Sequence, residues 1–171
     1  MGRIFGRDPL ADPEPLVRRV YAYVAYRIGD GPDAEDVTSE VFERALRYRH
    51  SYDPSKGEAA AWLIGIARRR IDIQHRRWET ASPEENVPAP GDLEEDAVRR
   101  LTLSSALARL DERERELIAL RYGADLTARQ IGESLGERTN TIEVALHRAL
   151  GRLRSHLAEP SEVLPVRAVR N

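Results

Sequence analysis

The run TASPEENVPAPGD at residues 80–92 limits what this chain can fold into more than any other part of it. It holds three prolines, a glycine and three acids, which leaves nothing from which to build a core. Proline also removes backbone donors, so the run reads as a flexible tether. The 171 residues are thereby divided into two stretches, each the size of a small domain. Both carry apolar residues at helical spacing, and the alternation of a half-buried strand is hard to find in either.

In the first stretch Leu16, Val17, Val20, Tyr21, Val24 and Ile28 line one helix face, with Pro13 and Pro15 at its start and Gly29 at its stop. Asp33 stands where an N-cap would, with Asp36 three residues on, ahead of a stripe of Val37, Val41, Phe42, Ala45 and Leu46. Residues 50–57 (HSYDPSKG) are turn chemistry. A third helix over about 58–77 places Trp62, Ile66 and Ile73 on one side. Beyond the tether come Ala97, Leu101, Leu107 and Leu110, then a capping box of Asp111 and Glu114 ahead of Leu117, Ile118, Leu120 and Tyr122. Thr127 and Gln130 make a second box before Ile131 and Leu135, and Gly136 ends that helix. The last helix carries Ile142, Leu146, Leu150, Leu153 and Leu157. The expected fold is all-α, with small helical domains at 13–78 and 93–157. A flexible acidic linker at 79–92 joins them, and a disordered tail follows at 158–171.

Composition narrows the function. Cysteine is absent, which excludes disulfides, thiolate metal sites and thiol catalysis. His50, His75, His147 and His156 lack ligand spacing, and no glycine-rich phosphate loop or Ser/His/Asp set is present, so no metal, cofactor, small-molecule substrate or enzymatic activity is expected. No apolar run approaches the ~20 residues of a membrane span. Residues 1–12 hold no apolar leader, so a cytoplasmic protein is expected. The net charge of −2 conceals its own distribution: residues 16–78 and 99–157 are each +3, and residues 79–98 are −7. Charge per segment, rather than the total, predicts partners, and the two helical stretches are mildly basic.

Three constellations carry the chemistry. Residues 127–157 have the short helix, tight turn and longer helix of a helix-turn-helix, although a plain helical hairpin in a bundle fits the same pattern. Its outward residues would be Arg138, Thr139, Asn140, Thr141, Glu143, His147 and Arg148, with Arg129 placed for a phosphate. Asn140 with Glu143 makes a capping box, and Thr139 is a competing cap. Asp33, Glu35, Asp36 and Glu40 gather on the first turns of one helix, ahead of Val41 and Phe42. They suit the helix dipole, and equally a docking face for a basic partner. Arg68, Arg69, Arg70, Arg76 and Arg77 share another helix, where pairs seven apart stack on one face. Such a stripe tracks a phosphate backbone or forms a solvated surface, and Tyr52 lies beside it as a stacking surface for bases.

Taken in order, DAEDVTSEVFERAL, YDPSKGEAAAWLIGIARRRIDIQHRR, the acidic tether, LARLDERERELIALRYGADLTARQIGESLG and TIEVALHRALGRLR resemble the extracytoplasmic-function (ECF) sigma factors, two-domain members of the bacterial sigma family, over about residues 16–157. The resemblance implies that Asp33, Glu35, Asp36, Glu40, Val41 and Phe42 dock on core RNA polymerase. Tyr52, Lys56, Arg68, Arg69, Arg76 and Arg77 would open and read the minus-ten element, with the 50–57 loop pocketing a flipped base. Arg129, Arg138, Thr139, Asn140, Thr141, Glu143, His147 and Arg148 would read the minus-thirty-five element. The implied partners are core polymerase, promoter DNA and an anti-sigma factor. The sequence departs from the family pattern at Arg69, where Asn is usual, and at Glu143 and Ala145, where basic residues are common. The rival readings are a stand-alone helix-turn-helix regulator and a sigma-like decoy that occupies polymerase without initiating.

Overall fold

The computed structural model describes residues 8–78 and 95–159, with the side chains of 8–74 and 96–159. The expected linker at 79–92 lies outside the described residues, as does the tail from residue 160 onward. Among the described residues seven α-helices follow in order: α1 (Pro13–Ile28), α2 (Pro32–Tyr48), α3 (Ala59–Trp78), α4 (Glu95–Ala108), α5 (Glu112–Ile118), α6 (Ala128–Leu135) and α7 (Thr139–Ala158). Among the described residues there is no strand, and the fold is all-α.

Helices α1, α2 and α3 pack on one another as a first unit, and α4 to α7 form a second. Gly29, at a φ of 96° that glycine adopts without penalty, ends α1 as expected. The start of α2 differs from the sequence expectation. Gly31 is the N-cap, no side chain caps it, and Pro32 takes the first helical position. Proline is well suited to that position because its missing N–H would be unpaired there in any case. Asp33 is therefore inside the first turn rather than capping it.

The buried face of α3 also differs. Ala60, Leu63, Ile64, Ala67 and Ile71 are in the core, Trp62 and Ile66 are half-buried, and Ile73 is exposed. Residues 60, 63/64, 67 and 71 follow a 3.6-residue repeat as closely as the larger side chains do. The first set is buried because α1 and α2 pack on that side of α3, where Ala67 shares one cluster with Ala34 and Ala45 of α2. Val17 on α1 and Leu46 on α2 are likewise exposed members of their expected stripes.

The second unit follows its local signals closely. The Asp111 carboxylate accepts from Glu114 N at 2.8 Å, and Asp111 N donates back to the Glu114 side chain at 3.3 Å. Thr127 and Gln130 reciprocate in the same way at 3.2 and 2.8 Å. Gly136 closes α6 in the left-handed conformation, φ 70°. Arg115 donates to the carbonyls of Leu107, Ala108 and Leu110, holding the end of α4 against α5. One turn, Ala119–Gly123, winds as a π-helix that no sequence signal announced. Replacing Thr127 with Ala removes one reciprocal cap and should lower stability by about 1 kcal/mol, read as a shift of the urea midpoint at unchanged slope.

The two units are docked on each other. α1 packs along the π-turn, and one buried cluster runs from Val20, Tyr23 and Val24 to Leu117, Leu120, Ala124, Leu126, Ile131 and Ile142, beside a smaller one of Ala106, Leu107, Leu110, Ile118, Ala149 and Leu153. Gly123 permits this approach. A Cβ built there would lie 2.8 Å from the Tyr23 backbone and 2.7 Å from the Tyr26 ring.

Candidate nucleic-acid and partner interfaces

The turn at Gly136 lets α6 and α7 cross tightly, with Glu137 N donating to Gly132 O at 2.9 Å. Ile142, Leu146, Ala149 and Leu153 bury one side of α7. The other side carries Arg138, Asn140, Thr141, Glu143, His147 and Arg148, all exposed, with Thr139 half-exposed beside them. The structure thus leaves these predicted groove residues open to solvent around α7 and its N-cap. The expected box of Asn140 and Glu143 does not form. Arg138 is the N-cap, without a side-chain cap, which puts Asn140 within the first turn and leaves Glu143 free to face outward. Arg129 projects from α6 and pairs with Glu133 at 2.9 Å. Beside this face a hollow of about 440 Å³ is lined in part by Arg121, Tyr122, Glu143, His147 and Arg154. The Arg121 guanidinium sits 5.7 Å from the centre of the Tyr122 ring, itself half-exposed.

On α2, Asp33, Glu35 and Asp36 are exposed, and their charges cluster at the positive end of the helix. Val41 has no exposed surface, which withdraws it from the expected docking face; it belongs to the core, and the neighbouring apolar surface is Phe42 and Leu46. Glu40 bonds the Arg70 guanidinium through two contacts and ties α2 to α3. The Arg70 hydrogen bonds hold the Glu40 carboxyl below its usual range, and the same bonds raise Arg70. Glu40 is thus already partnered within the chain.

Residues 50–57 form two 3₁₀ turns, Arg49–Ser51 and Pro54–Lys56. Asp53 braces the second by accepting from Ser55 N at 3.0 Å and Ser55 Oγ at 2.6 Å, which holds its carboxyl below the usual range. The Tyr52 hydroxyl donates to Gly57 O at 2.9 Å, and its ring meets Trp62 at 5.5 Å, so the aromatic pair stands as one wall. Lys56 is exposed, 3.7 Å from Asp53. This loop, Trp62 and Gln130, Glu133 and Ser134 of α6 line an open hollow of about 340 Å³. Arg69 is exposed; the side chains of Arg76 and Arg77 lie outside those described.

Arg68 does not face solvent freely. Its Nε lies 2.9 Å from Glu116 Oε1 on α5, across the seam between the units. The same carboxylate bonds Arg27 of α1 and accepts from the Tyr23 hydroxyl at 3.1 Å. Arg27 also donates to the Tyr23 oxygen at 3.2 Å and lies 3.5 Å from Glu112. Arg27 and Glu116 are buried charges, and burial, the largest influence on Tyr23, pushes that phenol up to about 12. The sequence reading missed this cluster. Its signal was present: Arg27 sits in the register of Val20 and Val24, and Glu116 adjoins the apolar pair Leu117 and Ile118, so two charges occupy core-facing positions.

The family models Sigma-70 region 2 and Sigma-70, region 4 match residues 14–79 and 106–155. The ECF RNA polymerase sigma factor RpoE of Cereibacter sphaeroides is 35% identical over 131 residues, which span 73% of this chain and 70% of that protein. The ECF RNA polymerase sigma factor ShbA of Streptomyces griseus is 34% identical over 169 residues, 89% of this chain and 86% of the relative. Among solved structures, the sigma factor RpoE in complex with the anti-sigma factor NepR from Bartonella quintana shares the fold. Its TM-score is 0.66 at 21% identity, covering 84% of this chain and 92% of that one.

Proposed function

Because the chain belongs to the ECF RNA polymerase sigma factors, we propose that it directs promoter-specific initiation by a division of labour between its two helical units. The first unit docks on core polymerase through Asp33, Glu35, Asp36 and Phe42. Its 50–57 loop, with Tyr52 and Lys56, and the α3 arginines Arg68, Arg69, Arg76 and Arg77 engage the opened minus-ten element. The tilted aromatic pair of Tyr52 and Trp62 supports this reading, since a base taken out of the stack needs an aromatic surface and a nearby cation. Polymerase performs the chemistry, and the chain supplies recognition in the cytoplasm, where polymerase and DNA are.

The observation that carries the proposal is the outward face of α7, where Arg138, Asn140, Thr141, His147 and Arg148 are presented together past a glycine turn. Arg and His are groove and phosphate ligands, Asn suits adenine, and Glu143 accepts from cytosine N4. With the usual basic positions held by Glu143 and Ala145, upstream recognition falls on Arg138 and Arg148. Converting both to Ala should weaken promoter complexes about tenfold or more, at roughly 1–3 kcal/mol for a good base contact, and leave core binding unchanged. Gel-shift titration of reconstituted holoenzyme checks both halves. Unchanged promoter affinity would mean that a different face of α7 meets DNA. An anti-sigma partner belongs to the same proposal, because a relative of this fold was solved bound to one.

A further inference from the structure

We infer that the hollow between the 50–57 loop and α6 is a binding site for a free guanosine-type ligand, a guanine base carrying a small substituent. At about 340 Å³ it stands at the small end of the roughly 300–1,000 Å³ of ligand sites, enough for a single base with its sugar at the open side. One side is aromatic. Tyr52 and Trp62 meet at 5.5 Å with their planes 52° apart, and the Tyr52 hydroxyl donates to Gly57 O, which fixes that ring. A planar base stacks on such a surface. The other side is α6, where Gln130, Glu133 and Ser134 share one face at i, i+3 and i+4 spacing.

The polar groups left unspent select the base. Gln130 Oε1 accepts from Thr127 N at 2.8 Å and from Thr127 Oγ1 at 3.0 Å, so its NH2 is the end of the amide left to donate. Glu133 meets Arg129 at 2.9 Å through Oε1 and keeps acceptor capacity on its carboxylate. The Ser51 and Ser134 hydroxyls donate to the carbonyls of Tyr48 and Ile131. What α6 offers is therefore a donor beside a carboxylate. Guanine presents the complement along one edge, a carbonyl oxygen followed by N–H and NH2. Adenine and cytosine set a ring-nitrogen lone pair against the carboxylate, and thymine and uracil follow their N–H with a second carbonyl. Charge favours a free ligand over a strand, because Asp53, Glu58 and Glu133 line the hollow against Lys56, and a strand brings a phosphate on either side of each base. A bound ligand covers Tyr52 and Lys56 and so competes with the minus-ten element. That consequence rests on the sigma-factor reading above, and the site itself does not.

Isothermal titration of the full chain with guanosine, inosine and adenosine tests the site. Guanosine should bind at a single site. Inosine lacks the exocyclic amino group and should bind at least about tenfold more weakly, since a site built around hydrogen bonds rejects the analogue that leaves them unmade. Adenosine should show no measurable heat. Glu133→Gln keeps the shape and turns half of the acceptor into a donor, so guanosine affinity should fall at least about tenfold. Its melting temperature should change little, because Glu133 is exposed and an i, i+4 ion pair there contributes little to stability. A short thymine strand with one central guanine should bind no better than the all-thymine strand. Guanosine that does not bind, nucleosides that bind alike, or full affinity in Glu133→Gln would overturn the site. A guanine-bearing strand preferred over guanosine would overturn it as well, by making the ligand a base of DNA. Core polymerase binding plays no part in these titrations and measures the sigma-factor reading separately.

Discussion

Replacing Asp33, Glu35 and Asp36 together by Lys should abolish binding to core RNA polymerase while the helical fold persists. The three side chains are exposed on the first turns of α2, and none supplies the helix cap, which is Gly31. Lysine at these positions opposes the helix dipole at about 0.3–1 kcal/mol each. The residues that anchor α2, namely Ala34, Val37, Val41 and Ala45, are untouched. Against a basic partner surface, three attractive charges become three repulsive ones. Like charges brought together at an interface cost several kcal/mol, so the dissociation constant should rise by about 100-fold or more. Titration of labelled chain with core polymerase, alongside circular dichroism, measures both effects. Retained binding would shift the docking face toward Phe42 and Leu46, the apolar surface one turn further along the helix.

Gly132→Ala carries the second large effect. A Cβ at this position would lie 2.6 Å from the Glu137 carbonyl oxygen, and that atom is backbone, fixed by the turn between α6 and α7. The turn must widen, at about 1–3 kcal/mol, and the recognition helix moves with it. Gly136→Ala provides the contrast. Its added Cβ meets nothing within 4 Å, so the penalty is that of a left-handed residue alone, about 1–2 kcal/mol. Gly132→Ala should therefore lose upstream-element affinity out of proportion to its melting temperature, whereas Gly136→Ala should lose stability with less effect on DNA. Thermal melts paired with holoenzyme binding to promoter fragments separate the two. Core binding through α2 should survive in both variants.

The parts of this fold legible in the sequence were those set by neighbours along the chain. Both capping boxes, Asp111 with Glu114 and Thr127 with Gln130, and the left-handed Gly136 are short-range devices, and the structure carries each as written. The all-α class and the outward face of α7 follow from the same local signals. What escaped depends on which helix lies opposite. On α3 the 3.6-residue repeat admits two adjacent faces, and only the approach of α1 and α2 selects Leu63, Ile64 and Ile71 over Ile73. Val41 was misjudged in the same way, since apolar residues at 41 and 42 point to different sides and the core took the first. The Asp33 cap failed because Pro32 offered the helix an earlier start. Largest of the omissions is the seam. Tyr23, Arg27, Arg68 and Glu116 are brought together from three helices in two units, and although the register of Arg27 marks it as core-facing, nothing along the chain tells which partner lies opposite it.

The central claim is tested most directly by transcription with purified bacterial core RNA polymerase on fragments of the source genome, with and without the chain, followed by sequencing of transcript starts. The account predicts new starts that depend on the chain and share a pair of motifs upstream, with the more distant motif lost in the variant carrying Arg138→Ala and Arg148→Ala. Core polymerase that is active and bound by the chain, yet yields no new starts, would contradict it and favour a decoy that occupies polymerase without initiating.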